Sequence, residues 1–158
     1  LVWGDLKEPE GTIDAPLARS PRDRKIMAVP QDPEEGKRAV THYKVLERYG
    51  FASYIECKLE TGRTHQIRAH MKHIGHPMFN DYTYGGDKIQ SFSSFNRFKT
   101  FIENSFKTLP RQALHAGYLG FEHPRTKEFV TFEQELPNDM KQAIDRFRNF
   151  AGTYGQKK

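Results

Sequence analysis

From Thr41 onward the chain alternates apolar and polar residues: Tyr43, Val45 and Leu46, then Tyr54-Ile55-Glu56-Cys57-Lys58-Leu59 beyond Tyr49-Gly50. Period two on both sides of a glycine-bearing turn predicts an antiparallel hairpin. Thr61-Gly62-Arg63 breaks the second strand. Thr64 is the expected cap of a helix on which Ile67, Met71 and Ile74 share a face, and Gly75 and Pro77 end it. Residues 80 to 87 have the composition of a loop. Between Gln90 and Pro110, Phe92, Phe95, Phe98, Ile102, Phe106 and Leu109 recur at spacings of three and four. That is an amphipathic helix whose aromatic stripe reads as core packing rather than base stacking. Gly117 to Glu122 and Phe129 to Glu133 form a second hairpin, and Pro137 opens a last helix to about Phe150, with a frayed tail from Gly152 to Lys158. Residues 5 to 40 show turn signals and little apolar periodicity, predicting irregular chain with short extended pieces.

A length of 158 residues points to one domain able to bury a core without staples. The charge of +5 favours a polyanionic partner, and Arg19, Arg22, Arg24 and Lys25 crowd one short segment. One cysteine, Cys57, allows no internal disulfide, which fits a reducing, cytoplasmic compartment. No run of apolar residues is long enough for a bilayer span, so no membrane partner is expected. The opening Leu1-Val2-Trp3-Gly4 reads like a strand end entering a turn and suggests a piece of a longer chain.

The densest chemistry lies from Leu59 to Pro77. Thr61-Gly62 delivers a helix N-terminus, where free amides and the dipole favour an anion, and Arg63 and Arg68 add planar, two-pronged positive charge. His65, His70, His73 and His76 invite a metal reading. His65 and His70 are five apart, however, which puts their rings on different faces, and no third ligand or base accompanies His70 and His73. No metal or cofactor is expected, and Cys57 within a strand pattern reads as an inert thiol.

Leu59-Glu-Thr-Gly-Arg-Thr-His-Gln-Ile-Arg-Ala-His-Met71, followed by Ile74-Gly-His-Pro77 and Asp81 through Tyr84-Gly85, resembles the motif of RluA/RluD-type RNA pseudouridine synthases. Gly11 to Arg19, Arg24 to Val29, Gly36 to Tyr43 and Arg111 to Pro124 follow in the family's order, while the Phe-rich stretch from about 90 to 108 looks like an insertion. The resemblance implies an α+β domain of the pseudouridine synthase fold, with a mostly antiparallel mixed sheet and flanking helices, acting without a cofactor. It implies isomerisation of uridine in structured RNA, with large-subunit ribosomal RNA the first target and transfer RNA the second. In such enzymes an aspartate starts cleavage of the glycosidic bond, the base rotates, and it rejoins through carbon. By the motif, Arg68 is the catalytic arginine that pairs with that aspartate. Arg19, Arg24, Lys25, Arg63, His65 and Gln66 are the implied RNA contacts.

The family's His-Arg-Leu-Asp segment has no counterpart between residues 1 and 158. The stretch is therefore expected to be the C-terminal portion of a catalytic domain, inactive by itself, with an unpaired strand edge that favours self-association. An inactive RNA-binding module is the alternative reading. Asp81 reads as structural.

Overall fold

The computed structural model describes residues 1–89 and 96–155. Its centre is a four-stranded antiparallel sheet in the order β1-β6-β5-β2, built from β1 (Val2–Trp3), β2 (Glu10–Asp14), β5 (Val40–Arg48) and β6 (Ala52–Leu59). The long β5–β6 hairpin is the one the alternation predicts. Its register slips between Val45 and Glu47, so that Val45 faces Ile55 and Glu47 faces Tyr54. Leu46 is the extra residue of this bulge, which is why two apolar residues stand side by side and Leu46 remains 43% exposed.

β2 pairs with β5 along its whole length, from Glu10 opposite Lys44 to Asp14 opposite Val40. Two short strands, β3 (Ala18–Arg19) and β4 (Met27–Ala28), form a separate small hairpin. The segment before Thr41 is thus irregular between short extended pieces, as its turn residues require.

Helix α1 (Gln66–His73) covers one face of the sheet, where Met71 packs with Val2, Leu6, Ile13, Ile55 and Met78. The opposite face carries Thr12, His42, Lys44, Glu56 and Lys58 around an open cleft of about 460 Å³. Helices α2 (Asn96–Thr108) and α3 (Asn138–Gly155) enclose an aromatic core with Trp3, Tyr49, Phe51 and Phe79. Phe147, with no exposed surface, meets Tyr49, Phe51, Phe79 and Phe101 at ring-centroid distances of 5.0 to 5.8 Å. The expected core stripe of α2 holds for Phe98 and Ile102, whereas Phe92 and Phe95 lie outside the described residues. Pro137 precedes α3, its carbonyl accepting the Lys141 amide, and the helix runs through Gly152 to Gly155 instead of ending at Phe150.

β7 (Tyr118–Glu122) and β8 (Phe129–Glu133) make the second predicted hairpin. Leu119 and Phe132 are paired across it and are 56% and 59% exposed, leaving an apolar face open. No helix among the described residues is long and apolar enough to cross a membrane. The α+β class with antiparallel sheets and flanking helices is the expected one.

Candidate active site

Gly62 and Arg63 lead into α1, but its entry differs from the expected Thr64 cap. His65 takes the left-handed conformation, φ 54°, and makes no side-chain cap. Gln66, the first helical residue, does that work instead. Its Oε1 accepts the Arg63 amide at 3.0 Å and the Thr61 hydroxyl at 2.8 Å, and its Nε2 donates to the Val40 carbonyl at 2.9 Å and to Thr41 Oγ1 at 3.0 Å. With all four amide bonds made internally and 2% of the residue exposed, Gln66 is a strut between strand and helix. The implied RNA contact at Gln66 is therefore corrected.

His70 extends this strut. Its Nε2 lies 2.9 Å from the Ala15 carbonyl, which can only accept, so Nε2 carries the proton and Nδ1 accepts the Thr41 hydroxyl at 2.9 Å. Burial holds this imidazole below its ordinary pKa, in the neutral form. His76 instead turns to the Trp3 carbonyl and His65 to Tyr84, so the histidines of the motif do not converge. Among the described residues, no three His, Cys, Asp or Glu side chains are placed to share a metal. Cys57 sits in β6, its thiol pushed up to about 11 by burial.

The charged centre is Arg68. Its Nε and Nη2 grip both oxygens of Asp81 at 2.7 and 2.8 Å, and its guanidinium lies 4.8 Å above the ring centre of Tyr84. Asp81 is fully buried and the Arg68 side chain is 11% exposed. The bidentate bonds to Asp81 raise the Arg68 pKa further, so its charge is permanent. Nη1 makes no hydrogen bond among the described residues. An arginine so held presents one remaining nitrogen, with its geometry fixed, to whatever carboxylate or phosphate approaches.

Asp81 and Tyr84 belong to a turn that runs back on itself. Tyr84 and Gly86 amides both bond to the Asp81 carbonyl, and the Gly86 carbonyl accepts from the Asn80 amide and from the Trp3 indole at 2.7 Å. A Cβ on Gly86 would overlap the Met78 carbonyl oxygen, so the turn closes only with glycine there. Tyr82, at the outer edge of this turn, is 78% exposed.

The Tyr84 hydroxyl lies 3.1 Å from His65 Nδ1 and accepts the Met27 amide at 3.1 Å, bringing the β3–β4 hairpin to the α1 N-terminus. Burial, followed by the nearby Arg68 charge, keeps His65 below its ordinary pKa. Arg19, Arg24 and Lys25 are exposed on that hairpin, with Arg19 Nη1 bracing the turn through the Arg24 carbonyl. Arg63 is exposed beside it, its Nε donating to the Arg38 carbonyl. Arg19, Arg24 and Lys25 thus share the hairpin that Met27 ties to Tyr84, His65 bonds the same hydroxyl, and the Tyr84 ring lies under Arg68, while Arg63 precedes His65 by two residues. The sequence reading recognised Asp81 as structural but gave no role to Tyr84, and the Asp81-to-Tyr84 spacing within the motif was the available signal.

A family model described as RNA pseudouridylate synthase matches residues 3–73. An uncharacterised RNA pseudouridine synthase of Bacillus subtilis is 47% identical over 148 residues, covering 94% of this chain and 42% of that protein. The ribosomal large subunit pseudouridine synthase D of Nitrosomonas europaea is 42% identical over 149 residues, covering 94% of this chain and 40% of its own length. The chain thus spans about two fifths of the curated relatives it matches. Among solved structures, human RNA pseudouridylate synthase domain containing 1 superposes with a TM-score of 0.62 at 26% identity, over 93% of this chain and 62% of that one.

Proposed function

The chain belongs to the RluA/RluD-type RNA pseudouridine synthase family, and on that premise we propose that it supplies the arginine side of a site isomerising uridine to pseudouridine in structured RNA. Large-subunit ribosomal RNA is the proposed substrate. The observation that carries the reading is Arg68, locked by Asp81 and Tyr84 with Nη1 left over. The aspartate implied by the family resemblance meets that nitrogen, and the fixed cation keeps the carboxylate ionised for attack.

Around it, Arg19, Arg24, Lys25 and Arg63 hold phosphates, His65 offers a ring nitrogen, and Tyr82 offers a face on which a base stacks. The reaction requires no cofactor. It occurs in the cytoplasm, and the 158 residues alone form the C-terminal part of the catalytic domain, without turnover.

In the full-length protein, Arg68→Ala is expected to lose most isomerisation of a ribosomal RNA fragment while retaining RNA binding; near-normal turnover would refute the assignment. Turnover by the 158-residue chain alone would refute the proposed need for an aspartate outside it. If neither the full-length protein nor its relatives' RNA targets give turnover while RNA is bound, the inactive binding module is the better reading. The open face of β7–β8 supports self-association of the isolated chain, and light scattering that reports only monomer at high concentration would exclude this.

A further inference from the structure

Three separate stretches of the chain meet at Tyr84. The residue is 4% exposed, packed with Leu17, Ala39 and Ala69, with Ile26, Met27 and Val29 of the β3–β4 region alongside. Its hydroxyl has two partners, Met27 N and His65 Nδ1, each at 3.1 Å. An amide can only donate, so the oxygen accepts from Met27, and among the described residues His65 Nδ1 is the acceptor left for the hydroxyl's own proton. That direction assigns the His65 tautomer: the ring proton sits on Nε2, the nitrogen turned away from Tyr84.

The hairpin gains more from this bond than a longer one would. β3 and β4 pair through Ala18 opposite Ala28 and Arg19 opposite Met27, with the Ser20 amide bonded to the Ile26 carbonyl, and Leu17 just before β3 exchanges backbone bonds with Lys37. So short a ladder does not fix its own orientation, which then depends on what anchors it. Lys37 holds the β3 side, and Met27, paired with Arg19 and two and three residues after Lys25 and Arg24, gives the β4 side its own anchor, so its amide helps set where all three charges stand. Meanwhile the ring, through its face rather than its hydroxyl, lies beneath Arg68.

We propose that Tyr84 is a positioning residue of the RNA site, its hydroxyl docking the basic β3–β4 hairpin and fixing the His65 tautomer while its ring seats Arg68. This rests on the RNA-isomerising reading above. The hydroxyl and the ring serve different parts of the site, so two substitutions separate them.

In the full-length protein, Tyr84→Phe removes one hydrogen-bonded hydroxyl and keeps the ring. It should raise KM for a ribosomal RNA fragment about fivefold, the worth of one net hydrogen bond, and lower kcat by less. Hydrogen exchange at the Met27 amide should accelerate by a similar factor, and the nitrogen NMR signals of His65 should move toward a mixture of tautomers. Tyr84→Leu should add a larger fall in kcat, because Arg68 loses the ring beneath it. A Tyr84→Phe protein with wild-type KM, Met27 exchange and His65 signals would overturn the proposal. Absence of isomerisation in the wild-type protein would count against the functional reading alone, since the Met27 and His65 measurements need no RNA and still decide what Tyr84 holds.

Discussion

The aromatic end of the molecule and the α1 end are both buried, yet they are built from opposite materials. Around Phe147, rings of Tyr49, Phe51 and Phe79 pack edge to face and that of Phe101 is tilted, and apart from the Tyr49 hydroxyl, which donates to Glu47, these rings need no particular partner. Around Arg68, burial falls on Gln66, His70, Thr41 and Asp81, each tied to a named atom. Apolar packing stabilises in proportion to area and tolerates small shifts, whereas a buried charge is costly unless its partner stands within hydrogen-bond reach. The difference teaches where stability and where geometry reside. The aromatic end holds the chain folded, and the polar end spends burial on holding one arginine still.

Five substitutions would break or sharpen this contrast. Phe147→Ala should be the most damaging to stability, by about 3–5 kcal/mol, because a large ring leaves a cavity at the junction of β-sheet and helices; denaturant unfolding measures it. Asp81→Ala should cost a similar or slightly smaller amount, about 3 kcal/mol, by leaving Arg68 buried without its carboxylate. The informative comparison is the double change Arg68→Met with Asp81→Leu. It should recover stability to within about 1–2 kcal/mol of the wild type without recovering isomerisation in the full-length protein. If the double change unfolds the protein, the ion pair is a stability element and the contrast fails.

A smaller effect belongs to His70. Its folded-state pKa is lowered from the ordinary 6.5 by burial, so the unfolded chain takes up the proton first. Its contribution to stability is complete above about pH 6.5 and is lost as the pH falls below that value toward the folded pKa. His70→Gln should flatten that acid-side slope in unfolding curves recorded between pH 7.5 and 5.5. Smallest is the exposed pair of Arg148 with Glu47, which joins α3 to β5 and holds the Glu47 carboxyl below its usual range. Arg148→Ala should cost less than about 1 kcal/mol, and the difference should shrink further in high salt.

The two ends also differ in how readable they were. Helical spacing of Phe98, Ile102 and Leu109, and alternation along β5 and β6, mark apolar faces directly, because burial of such faces depends on periodicity alone. The polar end depends on pairs distant in the chain. Arg68 and Asp81 are thirteen residues apart, Gln66 reaches back to Val40, and His70 reaches Ala15. Nothing local announces those contacts, and so Gln66 looked available to RNA when it is spoken for. The helix start differs from the expected one for a related reason: a glutamine side chain and a left-handed His65 satisfy the first turn in place of a Thr64 cap. The motif singles out Arg68 locally, whereas the contacts of Tyr84 with Met27, His65 and Arg68 depend on β4 and the Asp81 turn lying against α1.

Gly86 joins the two ends, its carbonyl bonded to the Trp3 indole and its amide to the Asp81 turn, with no room for a Cβ. Every missense change from a glycine codon adds a Cβ. Any substitution of Gly86 therefore presses on the Met78 carbonyl and loosens the Trp3 and Asp81 contacts together, so one change there is felt at both ends.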